Sequence, residues 1–307
     1  MASRALIIYN PVAARSRQAS LDVAEKVLRR AGWKVEVAAT EGPDDPRRLA
    51  AEGRVAGVDV VAVLGGDGTT VRAAAALVGS EIPLALLPTG TGNLLAGNLR
   101  IPRATNLAAE LIVQGNSRRI DLGKMERDQG TVYFCVACGT GIDAEVMRHT
   151  DAEQKRRWGI GAYISTTLRL LPSLRSHRHV VTVDGVETVF DAAMVLVMNC
   201  REVIPPHVRF KHAIFPDDGL LDVVAVRADT MIEGFRAVWQ AVRNDPTDDD
   251  GSLIRYARGR VVTVATDAPL AVEMDGDPDG ETPFTVEVVP GAVAVITPNG
   301  GRGNLYE

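Results

Sequence analysis

The stretch VAVLGGDGTT, residues 61–70, passes from an apolar run directly into a glycine-rich turn that contains one aspartate, Asp67. The apolar run has no polar alternation, which is typical of a strand covered on both faces. The segment that follows, TTVRAAAALVG, has apolar residues at helical spacing and ends in glycine, which predicts a helix. The stretch therefore predicts a strand, a glycine turn and a helix of an α/β domain.

The same alternation of strand and helix extends over residues 1–122. Three more apolar runs, ALIIYN, KVEVAAT and PLALLPTG, predict strands covered on both faces, and the segments between them have helical spacing. Alternating strands and helices favour a parallel, doubly wound sheet. We therefore predict an N-terminal α/β domain over residues 1–122.

Residues 123–292 follow a different pattern, in which strand-like segments succeed one another. Examples are TVYFCVACG, VETVFDAAMVLVMNC and TPFTVEVVP, and turn signals such as Asp184-Gly185 and Asp275-Gly276 separate them. Helical spacing interrupts the pattern twice, near 157–171 and 230–243. We predict a C-terminal, antiparallel β-sandwich domain.

Composition supports two packed domains. A chain of 307 residues exceeds the comfortable size of one hydrophobic core, and its 46% apolar and 24% charged residues are close to the globular average. A net charge of −5 argues against broad nucleic-acid binding. There is no apolar run of about eighteen residues and no signal-peptide pattern, and three cysteines cannot form a disulfide framework. We expect a cytoplasmic protein.

Three unusual loops follow predicted parallel strands: NPVAARSR, GGDGTT and PTGTGN. The carboxyl ends of parallel strands share one edge of the sheet, where α/β proteins bind ligands. Glycines let backbone N–H groups approach an anion, and a helix N-terminus favours a phosphate. Asp67 would repel a polyphosphate unless a divalent cation or a proton intervenes, so the loops indicate Mg²⁺-nucleotide chemistry. The alternative is that the glycines make tight turns and that Asp67 caps its helix through Thr69 or Thr70.

The motifs GGDGTT and PTGTGNLLAGNL, with the opening YNPVA and the late VEMDGDPDGETP, resemble the diacylglycerol kinase catalytic-domain family. That family includes bacterial lipid kinases and the sphingosine and ceramide kinases. The resemblance spans nearly the whole chain in the right order. It implies an ATP-binding α/β domain, onto which residues 293–307 pack back, a β-rich lipid-substrate domain over 123–292, and a cleft where a lipid hydroxyl meets the γ-phosphate.

The resemblance also implies the site residues. Asp275 would be the general base, and Asp67 the second catalytic residue. Asp277 would contact nucleotide where the family has a glutamate, one methylene longer. The other expected residues for ATP and its Mg²⁺ are Asn10, Pro11, Thr40, Gly65, Gly66, Gly68, Thr69, Thr89, Gly90, Thr91, Gly92 and Asn93. From the residues alone, an ordinary hairpin turn is the favoured interpretation of MDGD, and the resemblance reverses that preference.

Two loops depart from the family pattern or extend it. Leu94 stands where many bacterial members have an aspartate of their Mg²⁺ and water network. In several bacterial members the loop here written FPDDGLLD holds a structural Mg²⁺, which would be bound by the Asp218 carboxylate and the backbone carbonyls of Phe215 and Leu220. A turn with solvated acids is the alternative for that loop.

Expected partners and alternatives follow from these motifs. The lipid substrate would lie at a membrane surface, and basic clusters at 155–157, 175–178 and 209–211 would suit peripheral contact with the inner face. A homodimer is compatible with the sequence, and nucleic acid is not an expected partner. Cys135 and Cys138 are expected to pack in the core. The open alternatives are a kinase of a soluble acceptor, and a nucleotide-binding regulator without catalysis.

Overall fold

A computed structural model describes residues 2–12, 18–128, 130–141, 175–204, 208–209, 214–230, 233 and 253–298. The helices predicted near 157–171 and 230–243 therefore lie outside the described residues, apart from a few positions. The basic cluster at 155–157 and most of the cluster at 209–211 lie outside them as well.

The chain divides into two compact units. One comprises Met1–Ile120 with Gly291–Glu307, and the other comprises Asp121–Pro290.

The first unit is an α/β unit in which four parallel strands alternate with helices. Its elements are β1 (Arg4–Tyr9), α1 (Gln18–Arg30), β2 (Lys34–Ala39), α2 (Asp45–Ala56), β3 (Val60–Gly65), α3 (Asp67–Leu77), β4 (Leu84–Pro88), α4 (Leu94–Asn98) and α5 (Thr105–Gln114). The strand order is β2-β1-β3-β4, and all these pairs are parallel. The predicted doubly wound parallel sheet is confirmed.

Local sequence explains most of these elements. All six residues of β3 and all five of β4 are buried, as uninterrupted apolar runs predict. In α1 the buried residues Leu21, Ala24 and Leu28 recur at helical spacing. Gly57 ends α2 in the left-handed conformation, with φ of 66°, which costs glycine little.

The prediction that β2 is covered on both faces is wrong. Four of its six residues are exposed, because β2 is the edge strand of the sheet and β1 is its one partner among the described strands. Its sequence, KVEVAA, alternates charged and apolar residues at first, as an edge strand does.

The second unit consists of antiparallel strands. They are β5 (Ser117–Arg127), β6 (Gly130–Phe134), β7 (Ala137–Gly141), β8 (His177–Val183), β9 (Val186–Ala192), β10 (Met194–Met198), β11 (Glu202–Ile204), β12 (Val208–Arg209), β13 (Leu221–Val226), β14 (Ile254–Gly259), β15 (Val261–Thr266), β16 (Ala271–Met274), β17 (Asp277–Glu281) and β18 (Phe284–Ile296). Strands β5 and β18 also contribute residues to the first unit, where Val295 of β18 pairs in parallel with Leu84 of β4.

Two sheets form the predicted antiparallel sandwich. One has the order β14-β13-β10-β7-β16-β17, and the other brings β18, β15, β8 and β9 together. A single buried cluster draws residues from both sheets, among them Val197 and Val223 of the first and Val262 and Val286 of the second. This shared core is what face-to-face packing of two sheets requires.

Two segments predicted as single strands are divided. VETVFDAAMVLVMNC forms β9 and β10, which lie in different sheets, and the chain changes sheet at Ala193. TVYFCVACG forms β6 and β7, separated by Cys135 and Val136. Periodicity does not show such breaks, because the apolar residues continue on both sides of each corner.

The predicted Asp-Gly turns are confirmed. Asp184 and Gly185 have φ of 48° and 85°, and Asp275 and Gly276 have φ of 48° and 86°. Positive φ at both central residues is the geometry of a type I′ hairpin turn. None of the helices in the described part of the chain is long and apolar enough to cross a bilayer.

Candidate functional site

The three unusual loops of the α/β unit meet at one edge of its sheet, as expected. Asn10, Gly66 and Thr89 directly follow β1, β3 and β4. The backbone N–H of Asn10 donates to the Leu64 carbonyl at 3.0 Å, and that of Thr89 donates to the Gly65 carbonyl at 3.0 Å. These bonds continue the strand pairing into the loops and fix their starting points.

Two further predicted residues lie beside the first loop. The N–H of Thr40, which follows β2, donates to the Tyr9 carbonyl at 2.9 Å, so Thr40 shares the same edge. Pro11 follows Asn10 in an exposed turn. Asn10 itself links two loops, because its Nδ2 donates to Thr69 Oγ1 at 3.0 Å. Its Oδ1 accepts the N–H of Val12 at 3.1 Å.

Glycines at 66 and 90 allow the second and third loops to touch. A Cβ on Gly90 would lie 2.5 Å from the Cα of Gly66, and a Cβ on Gly66 would lie 3.2 Å from the Cα of Gly90. A Cβ on Gly65 would lie 3.0 Å from Thr69. Close packing of the loops therefore explains some of these glycines, which the sequence analysis interpreted as allowing backbone N–H groups to approach an anion.

Asp67 connects the same two loops through its carboxylate. Its Oδ1 accepts the N–H of Leu94 at 2.7 Å, at the first turn of α4. A Cβ on Gly92 would lie 2.9 Å from its Oδ2. Burial raises the pKa of the Asp67 carboxyl, and the backbone N–H groups of Leu94, Asn93 and Leu95 lower it. Capping of α3 by Asp67 through Thr69 or Thr70 is wrong, because the carboxylate binds the start of α4 instead.

Asn93 and Thr89 define the third loop. Asn93 has a left-handed backbone with φ of 53°, and its side chain closes on Gly90: Nδ2 donates to the Gly90 carbonyl at 2.7 Å and Oδ1 accepts the Gly90 N–H at 2.9 Å. The hydroxyl of Thr89 is buried and has no hydrogen-bond partner among the described residues. Thr91 and Gly92 are partly exposed between them.

The N-terminus of α3 has the geometry of an anion site. Its first helical hydrogen bond runs from the Thr70 N–H to the Gly66 carbonyl at 3.0 Å, so the N–H groups of Gly68 and Thr69 precede that bond. In the described part of the chain no side chain caps this end. Uncapped N–H groups and the helix dipole attract negative charge.

Asp275 lies in the β-rich unit, in the turn between β16 and β17. Its Oδ2 accepts the N–H of Cys135 at 2.7 Å, and its Oδ1 accepts those of Val136 at 2.8 Å and Ala137 at 3.1 Å. Its own N–H donates to the Ala137 carbonyl at 2.9 Å. The partly buried carboxylate is thus held by the segment that joins β6 and β7.

Asp184 is held in almost the same way. Its Oδ1 accepts the N–H groups of Arg260 and Val261, both at 2.9 Å, and its N–H donates to the Val261 carbonyl at 2.9 Å. Both residues are the first of an Asp-Gly turn. Amide contacts of this kind therefore do not by themselves identify a catalytic base.

A second acid, Glu273, contacts the Asp275 turn. Asp277 is exposed at the start of β17. Glu273 is buried in β16, and its Oε2 accepts the N–H of Gly276 at 2.7 Å. Sequence reasoning missed Glu273, although a charged residue inside the apolar run AVEM is a detectable sign.

The structural metal site that the resemblance implies stays a prediction, and its residues lie in one loop. Asp218 forms an ion pair with Arg258, and its Oδ1 accepts the Leu220 N–H at 3.1 Å. Phe215 lies in the same loop, partly buried. No group of three or more His, Cys, Asp and Glu side chains within the described ranges is arranged to hold a metal ion. The Arg258 guanidinium, which is positively charged, contacts the Asp218 carboxylate that would bind the Mg²⁺.

A neighbouring buried acid predicts a pH-dependent stability. Asp222 of β13 is fully buried, accepts a hydrogen bond from the Tyr256 hydroxyl, and lies 3.3 Å from Arg258 Nε. Burial raises the pKa of Asp222 to about 7, and Asp218 adds to the rise while Arg258 opposes it. An unfolded aspartate titrates near a pKa of about 3.9. Between these values the folded protein keeps a proton that the unfolded chain loses, so this group makes stability fall as pH rises.

Asp222→Asn should remove that dependence, because asparagine still accepts the Tyr256 hydroxyl but does not titrate. We expect the melting temperature of the variant minus that of wild type to increase from pH 5 to pH 8, by at least about 2 °C. Calorimetry of both proteins across this range measures the difference. If the difference between the two melting temperatures were the same at every pH, the pKa of Asp222 would not differ between the folded and unfolded states.

The remaining predicted features are placed simply. Cys135, Cys138 and Cys200 are buried and form no disulfide, so their packing in the core is confirmed. Arg175 and Arg178, at the ends of the 175–178 cluster, are exposed.

Comparisons with known proteins agree in both units. A family model described as diacylglycerol kinase catalytic domain matches residues 4–125, and one described as YegS C-terminal NAD kinase beta sandwich-like domain matches residues 136–297. A diacylglycerol kinase of Mycobacterium tuberculosis is 31% identical over 283 residues, which cover 87% of this chain and 86% of that protein. A Stenotrophomonas maltophilia protein named probable lipid kinase YegS-like is also 31% identical, over 278 residues. The match covers 88% of this chain and 88% of that protein.

An uncharacterized protein of Synechocystis is 27% identical over 76% of this chain, but this chain spans only 54% of that protein's length. Two crystal structures from Bacillus anthracis share the fold. One has a TM-score of 0.79 at 26% identity and covers 96% of this chain and 95% of its own. The other, of a diacylglycerol kinase, has a TM-score of 0.72 at 22% identity and covers 96% and 97%.

Proposed function

The chain belongs to the diacylglycerol kinase catalytic-domain family, and on this premise we propose that it is a lipid kinase, which transfers the γ-phosphate of ATP to a lipid hydroxyl. The relatives are named diacylglycerol kinase and probable lipid kinase, which supports a lipid acceptor. A diacylglycerol-like or a sphingoid lipid is our proposed acceptor.

The observation that carries the proposal is the sheet edge of the α/β unit. Asn10, the N-terminus of α3 and the loop 89–93 converge there, and the N–H groups of Gly68 and Thr69 precede the first hydrogen bond of their helix. ATP phosphates suit such N–H groups, because the charge is compensated without a lysine. Phosphoryl transfer needs chiefly this positioning and charge stabilisation.

The expected Mg²⁺ has few protein donors in these loops. Asp67 is the one acid in the loop motifs NPVAARSR, GGDGTT and PTGTGN, and its Oδ1 accepts the Leu94 N–H. As a metal ligand, the Asp67 carboxylate would use oxygen lone pairs, and the Leu94 N–H already occupies one of them. When bound with ATP, Mg²⁺ would neutralise phosphate charge, but no step here depends on a protein-bound ion. We assign Asp67 the role of holding the two glycine loops together.

Asp275 would act as the general base. In the transfer the acceptor hydroxyl oxygen forms a bond to the γ-phosphorus, the bond to the β,γ-bridging oxygen breaks, and ADP leaves. The hydroxyl proton passes to the Asp275 carboxylate. Three backbone N–H groups fix the orientation of that carboxylate before the acceptor arrives. Pre-orientation of this kind removes part of the entropic barrier.

A lipid acceptor lies in a bilayer, so we also propose peripheral contact with the membrane. Exposed Arg175 and Arg178 are candidates for contact with anionic headgroups.

The proposal is tested by following radiolabel from γ-labelled ATP. Diacylglycerol, sphingosine and ceramide in mixed micelles are compared with NAD and a soluble sugar, each with Mg²⁺ present. We expect label in the organic phase with one of the lipids. Label transferred only to a soluble acceptor would contradict the lipid assignment, and tight ATP binding without transfer to any acceptor would contradict the kinase assignment.

A further inference from the structure

The segment Cys135–Ala137, which joins β6 to β7, is held from both sides of its backbone. Its three N–H groups donate to the Asp275 carboxylate. The carbonyls of Cys135 and Val136 face the residues that follow β10: the Val136 carbonyl accepts the N–H of Asn199 at 2.8 Å and that of Cys200 at 3.1 Å. The position of the carboxylate therefore depends on what holds the carbonyl side.

The side chain of Asn199 makes the bridging contact on that side. Its Nδ2 donates to the Cys135 carbonyl and to the Asp121 carbonyl, both at 2.9 Å. Asn199 is fully buried, and its Oδ1 has no hydrogen-bond partner in the described part of the chain. Its side-chain hydrogen bonds to described residues thus run through one NH₂ group, which joins β5 to the 135–137 segment.

Loss of this NH₂ group would leave two carbonyls without their buried donor. The Cys135 carbonyl would keep a weaker contact from Cys200 Sγ, at 3.3 Å. Buried carbonyls seek new partners, so the segment is expected to shift. Its N–H groups would carry the Asp275 carboxylate with them, and misplacement of a reacting group by about 1 Å costs on the order of 10²-fold in rate.

We propose that Asn199 is a positioning residue, which fixes the Cys135–Ala137 segment and, through it, the carboxylate of Asp275. This role rests on the proposed function, because it concerns the base of the proposed phosphoryl transfer. Asn199 touches neither ATP nor the reacting hydroxyl in this assignment.

The test compares Asn199→Leu, which keeps the branched shape but replaces the amide oxygen and NH₂ group by methyl groups, with Thr140→Val. Thr140 is also fully buried, and its hydroxyl donates to a backbone carbonyl, that of Ala271, at 2.8 Å. This bond involves none of residues 135–137. The control variant therefore loses a comparable buried hydrogen bond without loosening the segment.

For Asn199→Leu we expect kcat to fall by about 10- to 100-fold, with KM for ATP unchanged. Amide hydrogen exchange at residues 135–137 should accelerate in this variant and not in Thr140→Val, whose kcat should stay at the wild-type value. In single turnovers on the Asp275→Asn background, Asn199→Leu should cause no further loss, since both changes act on one group. Asn199→Ala replaces the leucine variant if that protein does not fold.

Three results would overturn the inference. They are equal losses of kcat in Asn199→Leu and Thr140→Val, full multiplicative loss on the Asp275→Asn background, and unchanged exchange at 135–137. Wild-type activity of Asp275→Asn would contradict the proposed base itself. An inactive Asp275→Asn beside a fully active Asn199→Leu would contradict this inference alone.

Discussion

Asp275→Asn is expected to lower kcat for phosphoryl transfer by about 10³-fold, within the range that a general base contributes. The amide cannot take up the hydroxyl proton. Asparagine tolerates the left-handed backbone at this position, where φ is 48°, so the turn should persist. Binding of ATP should be unchanged, because the candidate phosphate loops contain none of the Asp275 contacts. Single-turnover transfer and equilibrium binding of labelled ATP measure the two effects.

The same change also costs stability. If the amide oxygen replaces Oδ1, it still accepts the N–H groups of Val136 and Ala137, but the NH₂ group then faces the N–H of Cys135. An unsatisfied buried donor costs about 1–3 kcal/mol. A loss of activity must therefore be separated from a loss of folding.

Asp184→Asn is the matched control for that separation. Asp184 has the same φ of 48°, the same Asp-Gly turn and the same kind of backbone N–H contacts. Because Asp184 and its contacts are exposed, we expect a smaller fall in the free energy of unfolding than for Asp275→Asn, and wild-type kcat. Equal loss of kcat in both variants would show that the turn, not the carboxylate chemistry, is needed. Near-wild-type turnover of Asp275→Asn would remove Asp275 as the base.

Gly90→Ala is expected to raise the dissociation constant for ATP by about 10- to 100-fold. The added Cβ would lie 2.5 Å from the Gly66 Cα and 2.9 Å from Asn93 Oδ1, and the first of these contacts is with backbone. Overpacking of this kind costs about 1–3 kcal/mol, and relief requires the two loops to separate. Since about 1.4 kcal/mol changes binding tenfold, separation of the phosphate loops should weaken ATP binding by that range.

Gly97→Ala provides the control for Gly90→Ala. Gly97 lies in α4, and a Cβ there would meet nothing within 4 Å. Alanine at a helical position usually stabilises by about 0.4–1 kcal/mol. We expect wild-type ATP affinity for this variant in fluorescence or calorimetric titrations. Wild-type affinity of Gly90→Ala would show that close approach of the two loops is not required for binding.

The sequence predicts the architecture well where local pattern decides it. The continuous apolar runs of β3 and β4, the Asp-Gly turns and the change from alternating to successive strands all lead to the observed fold. The corners at Ala193 and at Cys135 and Val136 are missed, because hydropathy does not change there. The exposed face of β2 is missed because the position of a strand in its sheet is a tertiary property.

The candidate site is predicted less completely, for a similar reason. Motifs bring Asn10, Asp67 and the loop 89–93 to one edge. Pattern alone does not show that Asp67 binds the start of α4, that Asn93 closes on Gly90, or that Glu273 supports the Asp275 turn. Each of these contacts joins residues whose mutual placement only the folded chain defines. The ion pair of Asp218 with Arg258 likewise joins residues 40 positions apart, so the sequence pattern does not show it.

The most direct test of the account is amide hydrogen exchange with and without a non-hydrolysable ATP analogue and Mg²⁺. The N–H groups of Gly68 and Thr69 precede the first helical hydrogen bond of α3 and should exchange quickly in the absence of nucleotide. We predict that saturating analogue slows exchange at residues 66–69 and 89–93. Bound analogue with unchanged exchange at both loops, and protection elsewhere, would contradict the proposal that ATP phosphates rest on this edge of the sheet.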